Sequence, residues 1–208
     1  MKTLIIIPSR LAASRLPGKP LLKINGISII SHVFKRAEKA NIGEVIVAAE
    51  DKEIIDDVKS NGGNAVLTSK NHKTGTDRIY EAFKILEKRD IKFVMNIQGD
   101  EPEINVDDIK NLNQKMKIHN SEIGTLAAKI SNSKDYDNEN IVKVEVNEPL
   151  NLNSFPVAKN FNRITKPKNN IYHHIGAYCY EVDTLKKFIS FDQSKNELEN
   201  RLEQLRAL

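Results

Sequence analysis

Short apolar runs alternate along the chain with stretches whose apolar residues recur at helical spacing. Leu4 to Ile7 is a continuous apolar run, cut off at once by Pro8 and Arg10, and reads as a buried first strand. Apolar positions 29, 30, 33, 34 and 37 line one side of a helix predicted over 28–40. A second strand is predicted over 44–49, a helix over 53–59 ending at Asn61-Gly62-Gly63, a short strand over 65–67, a helix over 76–87 and a strand over 93–97. This strand–helix alternation predicts an α/β fold with a largely parallel sheet. Ligands of such sheets bind beyond the carboxyl ends of the strands, where the loops 8–20, 49–52, 68–76 and 98–104 fall.

The pattern changes after about residue 104. A helix over 105–119 is followed by strands over 123–130, 141–146 and 171–180, separated by polar segments; these predict mixed or antiparallel additions to the sheet. Residues 147–170 hold three prolines and seven asparagines and read as loop. Helices over 183–189 and 194–205 close the chain. No internal repeat is visible.

Composition narrows the class. The 208 residues are 39% hydrophobic and 29% charged, as in an ordinary globular domain. No apolar run approaches the roughly 20 residues a membrane helix needs, so no membrane partner is expected. The single cysteine, Cys179, sits in a strand-like run as a buried thiol, and a reducing, cytoplasmic location follows. The formal charge of +4 is unevenly spread: residues 1–50 carry eight lysines and arginines against three acids. Such an excess suits a polyanion site, and equally a solvated surface. A nucleic-acid-binding domain is disfavoured, because no basic stripe with interleaved aromatics and no zinc or helix-turn-helix pattern is present.

Three segments carry candidate chemistry. The loop Pro8-Ser9-Arg10-Leu11-Ala12-Ala13-Ser14-Arg15-Leu16-Pro17-Gly18-Lys19-Pro20 offers three cations, a glycine and two hydroxyls after the first strand. A triphosphate needs such donors, although a plain surface loop has the same composition. It is not a Walker A loop, and no dinucleotide-binding glycine fingerprint occurs. His72-Lys73-Thr74-Gly75-Thr76-Asp77-Arg78 precedes a helix with Thr76 as candidate N-cap, a place that favours anions or simply a capped loop. His72 alone reads as structural. Asn96-Ile97-Gln98-Gly99-Asp100-Glu101-Pro102 puts a carboxylate just past a buried strand, where Mg²⁺ is held with substrate phosphates or where a turn faces solvent.

Taken in order and spacing, these segments resemble the 3-deoxy-manno-octulosonate (Kdo) cytidylyltransferase, or CMP-Kdo synthetase, family. So do Val142-Lys143-Val144, His174-Ile175-Gly176-x-Tyr178 and Leu202-Glu203-Gln204-Leu205-Arg206, and the resemblance spans residues 1–208. It implies a Rossmann-like nucleotidyltransferase three-layer sandwich, with a mostly parallel central sheet and added mixed strands. It implies one domain, with a nucleotide-binding half at 1–120 and a sugar-acid and dimerisation half at 121–208. It implies transfer of CMP from the co-substrate CTP to Kdo for lipopolysaccharide biosynthesis, with Mg²⁺, in a cytoplasmic homodimer.

By the same resemblance Arg10, Arg15, Lys19 and Asp100 are catalytic, with Asp100 the metal ligand. Pro8, Ser9, Arg10, Lys19, Ala48, Thr74, Gly75, Arg78 and Gln98 hold CTP. Gln98, His174, Tyr178, Glu197 and Gln204 face the sugar acid. Two departures qualify this. The family's Ser-Arg-x-x-Ile-Pro segment reads Ser154-Phe155-Pro156-Val157 here, leaving Lys159 or Arg163 to replace its arginine. The family's Gly-Val-Asp-Thr-x-x-Asp segment, with a second metal aspartate, has no counterpart before Leu208, so slow turnover is expected. The alternatives are another acidic sugar (8-amino-Kdo or a sialic-type acid) and a nucleotide-binding protein with little activity.

Overall fold

The computed structural model describes residues 1–12, 16–151 and 154–208. Along the chain run β1 (Lys2–Ser9), β2 (Lys23–Ile24), β3 (Ile27–Ser28), α1 (Ile29–Lys39), β4 (Gly43–Ala49), α2 (Lys52–Ser60), β5 (Ala65–Leu67), α3 (Gly75–Ile85), β6 (Ile91–Asn96) and α4 (Val106–His119). Then follow β7 (Ile123–Ala128), β8 (Lys143–Val146), β9 (Ala158–Asn162), β10 (Ile171–Glu181), α5 (Val182–Ser190) and α6 (Lys195–Asn200). The chain divides into two compact units. The first is Met1–Gly124 with Ala177–Ile189, and the second is Thr125–Gly176 with Ser190–Leu208.

In the first unit β5, β4, β1 and β6 lie side by side, all parallel. The C-terminal half of β10 pairs antiparallel with β6, from Tyr178 opposite Asn96 to Glu181 opposite Phe93. Side chains alternate across the sheet. Leu4 and Ile6 of β1, Ile46 and Ala48 of β4 and Val94 of β6 pack with Ile79 and Ala82 of α3 and Leu185 and Phe188 of α5. The intervening residues Ile5 and Ile7 are fully buried and face the other way, where Thr3 on the same register donates its hydroxyl to Asn113 of α4 at 2.6 Å. Helices α1 and α2 pack on β4. Helix, sheet and helix make the expected three layers.

In the second unit β8 lies between β9 and the N-terminal half of β10, antiparallel to both. Val144, Val146, Phe161, Tyr172, Leu202 and Leu205 form its core. Lys143 is fully buried; its ammonium donates to the carbonyls of Asn138 (2.8 Å) and Arg163.

Two local readings are corrected. Residues 147–170 are not all loop, for they contain β9, of which only Phe161 is buried; one inward residue gives no periodic signal. The helix expected over 194–205 breaks at Arg201, which adopts a left-handed φ of 53°, before a 3₁₀ turn at Glu203–Ala207. Arg163 donates to the carbonyls of Asn200 and Arg201 at 2.8 and 2.9 Å, satisfying the orphaned C-terminal acceptors there. The segment between Pro20 and the first helix, for which the apolar pattern carries no expectation, forms a β2–β3 hairpin turning at Asn25 and Gly26, both at positive φ, as an Asn-Gly turn requires.

Candidate active site

Three segments at the carboxyl edge of the first unit's sheet enclose a cavity of about 300 Å³. Pro8, Ser9, Arg10, Lys19 and Pro20 come from the first loop, His72, Lys73, Thr74, Gly75 and Arg78 from the start of α3, and Gln98, Gly99 and Asp100 from the end of β6. The ends of β1 and β6 are adjacent because the strands pair in parallel, Ile6 opposite Asn96. Gly99 permits the closest approach: a Cβ there would lie 2.8 Å from the Pro8 carbonyl oxygen. A Cβ on Gly75 would lie 3.4 Å from the Pro8 ring, so the start of α3 is packed close to the same strand end.

Lys19 Nζ donates to Asp100 Oδ2 at 2.7 Å. Gly18 N–H donates to the Leu11 carbonyl (3.0 Å), with Gly18 at φ 72°, where a side chain is disfavoured. Leu11 N–H donates in turn to Asp51 Oδ2 at 2.7 Å. Ser9 Oγ is buried with no hydrogen-bond partner among the described residues, an arrangement whose cost a bound ligand's acceptor would relieve. Arg15 lies outside the described residues.

The wall formed by the second segment is rigidly tied. The N-cap of α3 is Thr74, not Thr76: Thr74 Oγ1 accepts from Asp77 N–H (3.2 Å), and Asp77 Oδ2 accepts from Thr74 N–H (3.1 Å), a complete capping box. Thr76 is instead buried. Arg78, also buried, donates to Thr68 Oγ1 at 2.7 Å, to the Ser69 carbonyl at 3.1 Å and to Glu50. His72 pairs with Glu81. Burial pushes the Glu81 carboxyl up, but the hydrogen bonds from His72 and Ser69 N–H outweigh it and hold it below its usual range. Glu101 goes the other way: burial first, then the charge of Asp100, raise it.

Other expected site residues sit elsewhere. Ala48 does not line the cavity; its side chain is fully buried in the core beside Leu4 and Ile6. Tyr178 belongs to the first unit, half-buried against that core and stacked on Tyr180 at 6.0 Å. His174, Glu197 and Gln204 belong to the second unit. His174 is buried, edge-on to Phe161 at 5.0 Å and 2.9 Å from Thr125 Oγ1; burial, then its neighbour His173, push its pKa down to about 4. Gln204 is half-buried in the 3₁₀ turn.

Glu197 is corrected. Both its oxygens accept from Arg206, at 2.6 and 2.8 Å, and Gln193 and Ser194 N–H add further bonds, so it ties α6 to the turn at Glu203–Ala207 rather than facing a ligand. Arg163, a candidate replacement for the family's missing arginine, already donates to three backbone carbonyls. The family resemblance puts residues 48–51 near the cytosine and ribose, but it did not foresee that Asp51 holds Leu11 N–H and Glu50 holds Arg78, and Glu81 carried no expectation; the one available signal was two acids directly after a buried strand.

Arginine and lysine at the mouth of a parallel sheet, opposite Asp100, suit a polyphosphate, and taken together with the relatives of this fold they define the class, an α/β nucleotidyltransferase. Residues 4–208 match the family model described as cytidylyltransferase. A relative from Afipia carboxidovorans named 3-deoxy-manno-octulosonate cytidylyltransferase is 45% identical over 209 residues, covering 99% of this chain and 84% of its own. One of the same name from Rhodopseudomonas palustris is 43% identical over 210 residues, covering 100% of this chain and 85% of its own. A solved CMP:2-keto-3-deoxy-manno-octonic acid synthetase complexed with CTP superposes with a TM-score of 0.86 at 36% identity, over 99% of this chain and 85% of that one. A cytidylyltransferase from Leptospira borgpetersenii, 18% identical, shares the fold over 100% of this chain and 71% of its own at a TM-score of 0.62. The chain belongs to the 3-deoxy-manno-octulosonate cytidylyltransferase family.

Proposed function

We propose that the protein transfers CMP from CTP to Kdo, releasing pyrophosphate and supplying CMP-Kdo for lipopolysaccharide biosynthesis. The observation that carries this reading is the 2.7 Å approach of Lys19 to Asp100 across one cavity, which gathers a phosphate cation and a metal-type carboxylate. The anomeric hydroxyl of the sugar attacks the α-phosphorus in line, so the protein's work is positioning and charge neutralisation. Arg10 and Lys19, with Arg15, hold the triphosphate and offset charge growing on the pyrophosphate. Ser9 Oγ donates to a phosphate oxygen. Thr74, Gly75 and the Arg78 wall receive the nucleoside end, and Gln98 and Gly99 floor the cavity.

Mg²⁺ fits the donor set. Asp100 presents one half-exposed carboxylate, and among the described residues no three His, Cys, Asp or Glu gather as a closed metal cage; a hard cation of this size takes one or two carboxylates plus phosphate oxygens and water. When bound, it neutralises triphosphate charge. By the family resemblance, Gln98, His174, Tyr178 and Gln204 receive the sugar acid, and the enzyme is a cytoplasmic homodimer. Among the described residues no helix is long and apolar enough to cross a membrane.

The test follows pyrophosphate release with CTP, Mg²⁺ and, separately, Kdo, 8-amino-Kdo and a sialic-type acid. Release with Kdo in clear preference is expected. CTP binding without release for any sugar would establish the binding-protein alternative instead.

A further inference from the structure

We infer that Asp51 is a positioning residue that sets the phosphate loop for nucleotide binding; this rests on the cytidylyltransferase reading of the cavity. Asp51 precedes α2 and occupies its N-cap position, yet its side chain makes no capping bond. Aspartate is among the best N-cap residues, so leaving the cap unmade forgoes a stabilising contact. The carboxylate instead reaches the Leu11 N–H at 2.7 Å, forty residues away in sequence. Leu11 is therefore held at both backbone polar groups, by Asp51 at the N–H and by Gly18 N–H at the carbonyl.

The residues next to this Leu11–Gly18 contact are Arg10 and Lys19, both lining the cavity. Anchoring Leu11, and Gly18 through it, fixes where both side chains begin. Without the anchor, the loop's ordering cost is met when the nucleotide binds, and apparent affinity falls. Asp51 does not line the cavity, so it acts through the loop. Its neighbour Glu50 holds Arg78 on the opposite wall, so the two consecutive acids at the end of β4 each secure one side of the cavity.

The experiment compares the wild-type chain, Asp51→Ala and Asp51→Asn, the last retaining a carbonyl oxygen that can accept from Leu11. Amide hydrogen exchange at Leu11 is read without nucleotide, and CTP binding is read by calorimetry without sugar. Exchange about tenfold faster and CTP binding about tenfold weaker are expected in Asp51→Ala, the loss of one charge-assisted hydrogen bond. Both are restored to within a few-fold in Asp51→Asn, and KM for the sugar acid is unchanged in both variants. CTP binding by Asp51→Ala equal to wild type overturns the inference, and so does an equal loss in Asp51→Asn. Protected Leu11 in a wild-type chain that binds no CTP overturns the cytidylyltransferase reading, and with it the nucleotide-binding role of Asp51.

Discussion

Lys19 and Asp100, eighty-one positions apart in the sequence, meet at 2.7 Å at the rim of the cavity. Lys19 is one-third and Asp100 one-half exposed, so water screens the pair and it adds little to stability. Its value lies in what each group is free to do once a triphosphate arrives.

Lys19→Met and Asp100→Asn should each lower kcat/KM for CTP by roughly a hundredfold or more, the scale of losing one charge-stabilising group. The double variant should lose less than the product of the two, because the groups share one ligand. Urea midpoints should stay near wild type. Full additivity would place the two residues at separate tasks.

Gly99→Ala should be costly for its size. A Cβ would sit 2.8 Å from the Pro8 carbonyl oxygen and 3.1 Å from Ile30 Cδ1, so the end of β1 must move. A loss of about 1–3 kcal/mol in stability, together with weaker CTP binding, is expected from urea unfolding and calorimetry. A variant with wild-type stability would contradict the packing.

The Glu197–Arg206 pair is almost wholly buried. Burial pushes the Glu197 carboxyl up, but hydrogen bonds from Arg206 and Gln193 and the charge of Arg206 outweigh it, leaving it below 4.5. Its contribution is therefore full above the ordinary carboxylate pKa and is lost as the pH falls through the lowered folded value. Arg206→Met should destabilise by about 3–5 kcal/mol, because it strands a buried charge. Adding Glu197→Gln should recover part of that loss, as read from denaturant midpoints.

His174 predicts a second acid limb. It stays neutral in the folded state down to about pH 4, against an ordinary value of 6.5. Between these values unfolding takes up a proton, so stability falls as the pH drops from about 6.5 and levels off below about 4, by roughly 3 kcal/mol at most. His174→Gln should flatten that slope in urea midpoints measured from pH 7 to pH 4. An unchanged slope would assign the limb to other groups.

Much of the first unit was legible because its signals are local. The apolar run Leu4 to Ile7 and the helical spacing of Ile29, Ile30, Val33 and Phe34 each state their own periodicity, and both elements stand where expected. β9 was not legible, since Asn160 and Asn162 flank its single buried side chain, Phe161. The break at Arg201 was not legible either, because the groups that satisfy α6's last carbonyls belong to Arg163.

The alternation of strands and helices, and with it the set of loops at the carboxyl edge of the sheet, is written in the local periodicity of the chain. Arg10, Lys19, Thr74, Gly75, Gln98 and Asp100 were placed there by chain order alone, since parallel strands bring every second connection to the same edge. Side-chain partners were set by the folded chain. It sent Asp51 to Leu11 instead of its own helix, closed Glu197 around Arg206, and turned Ala48 into the core. A polar side chain's partner depends on which distant segment passes within about 3 Å, and burial, by removing water as the competing partner, fixes that choice.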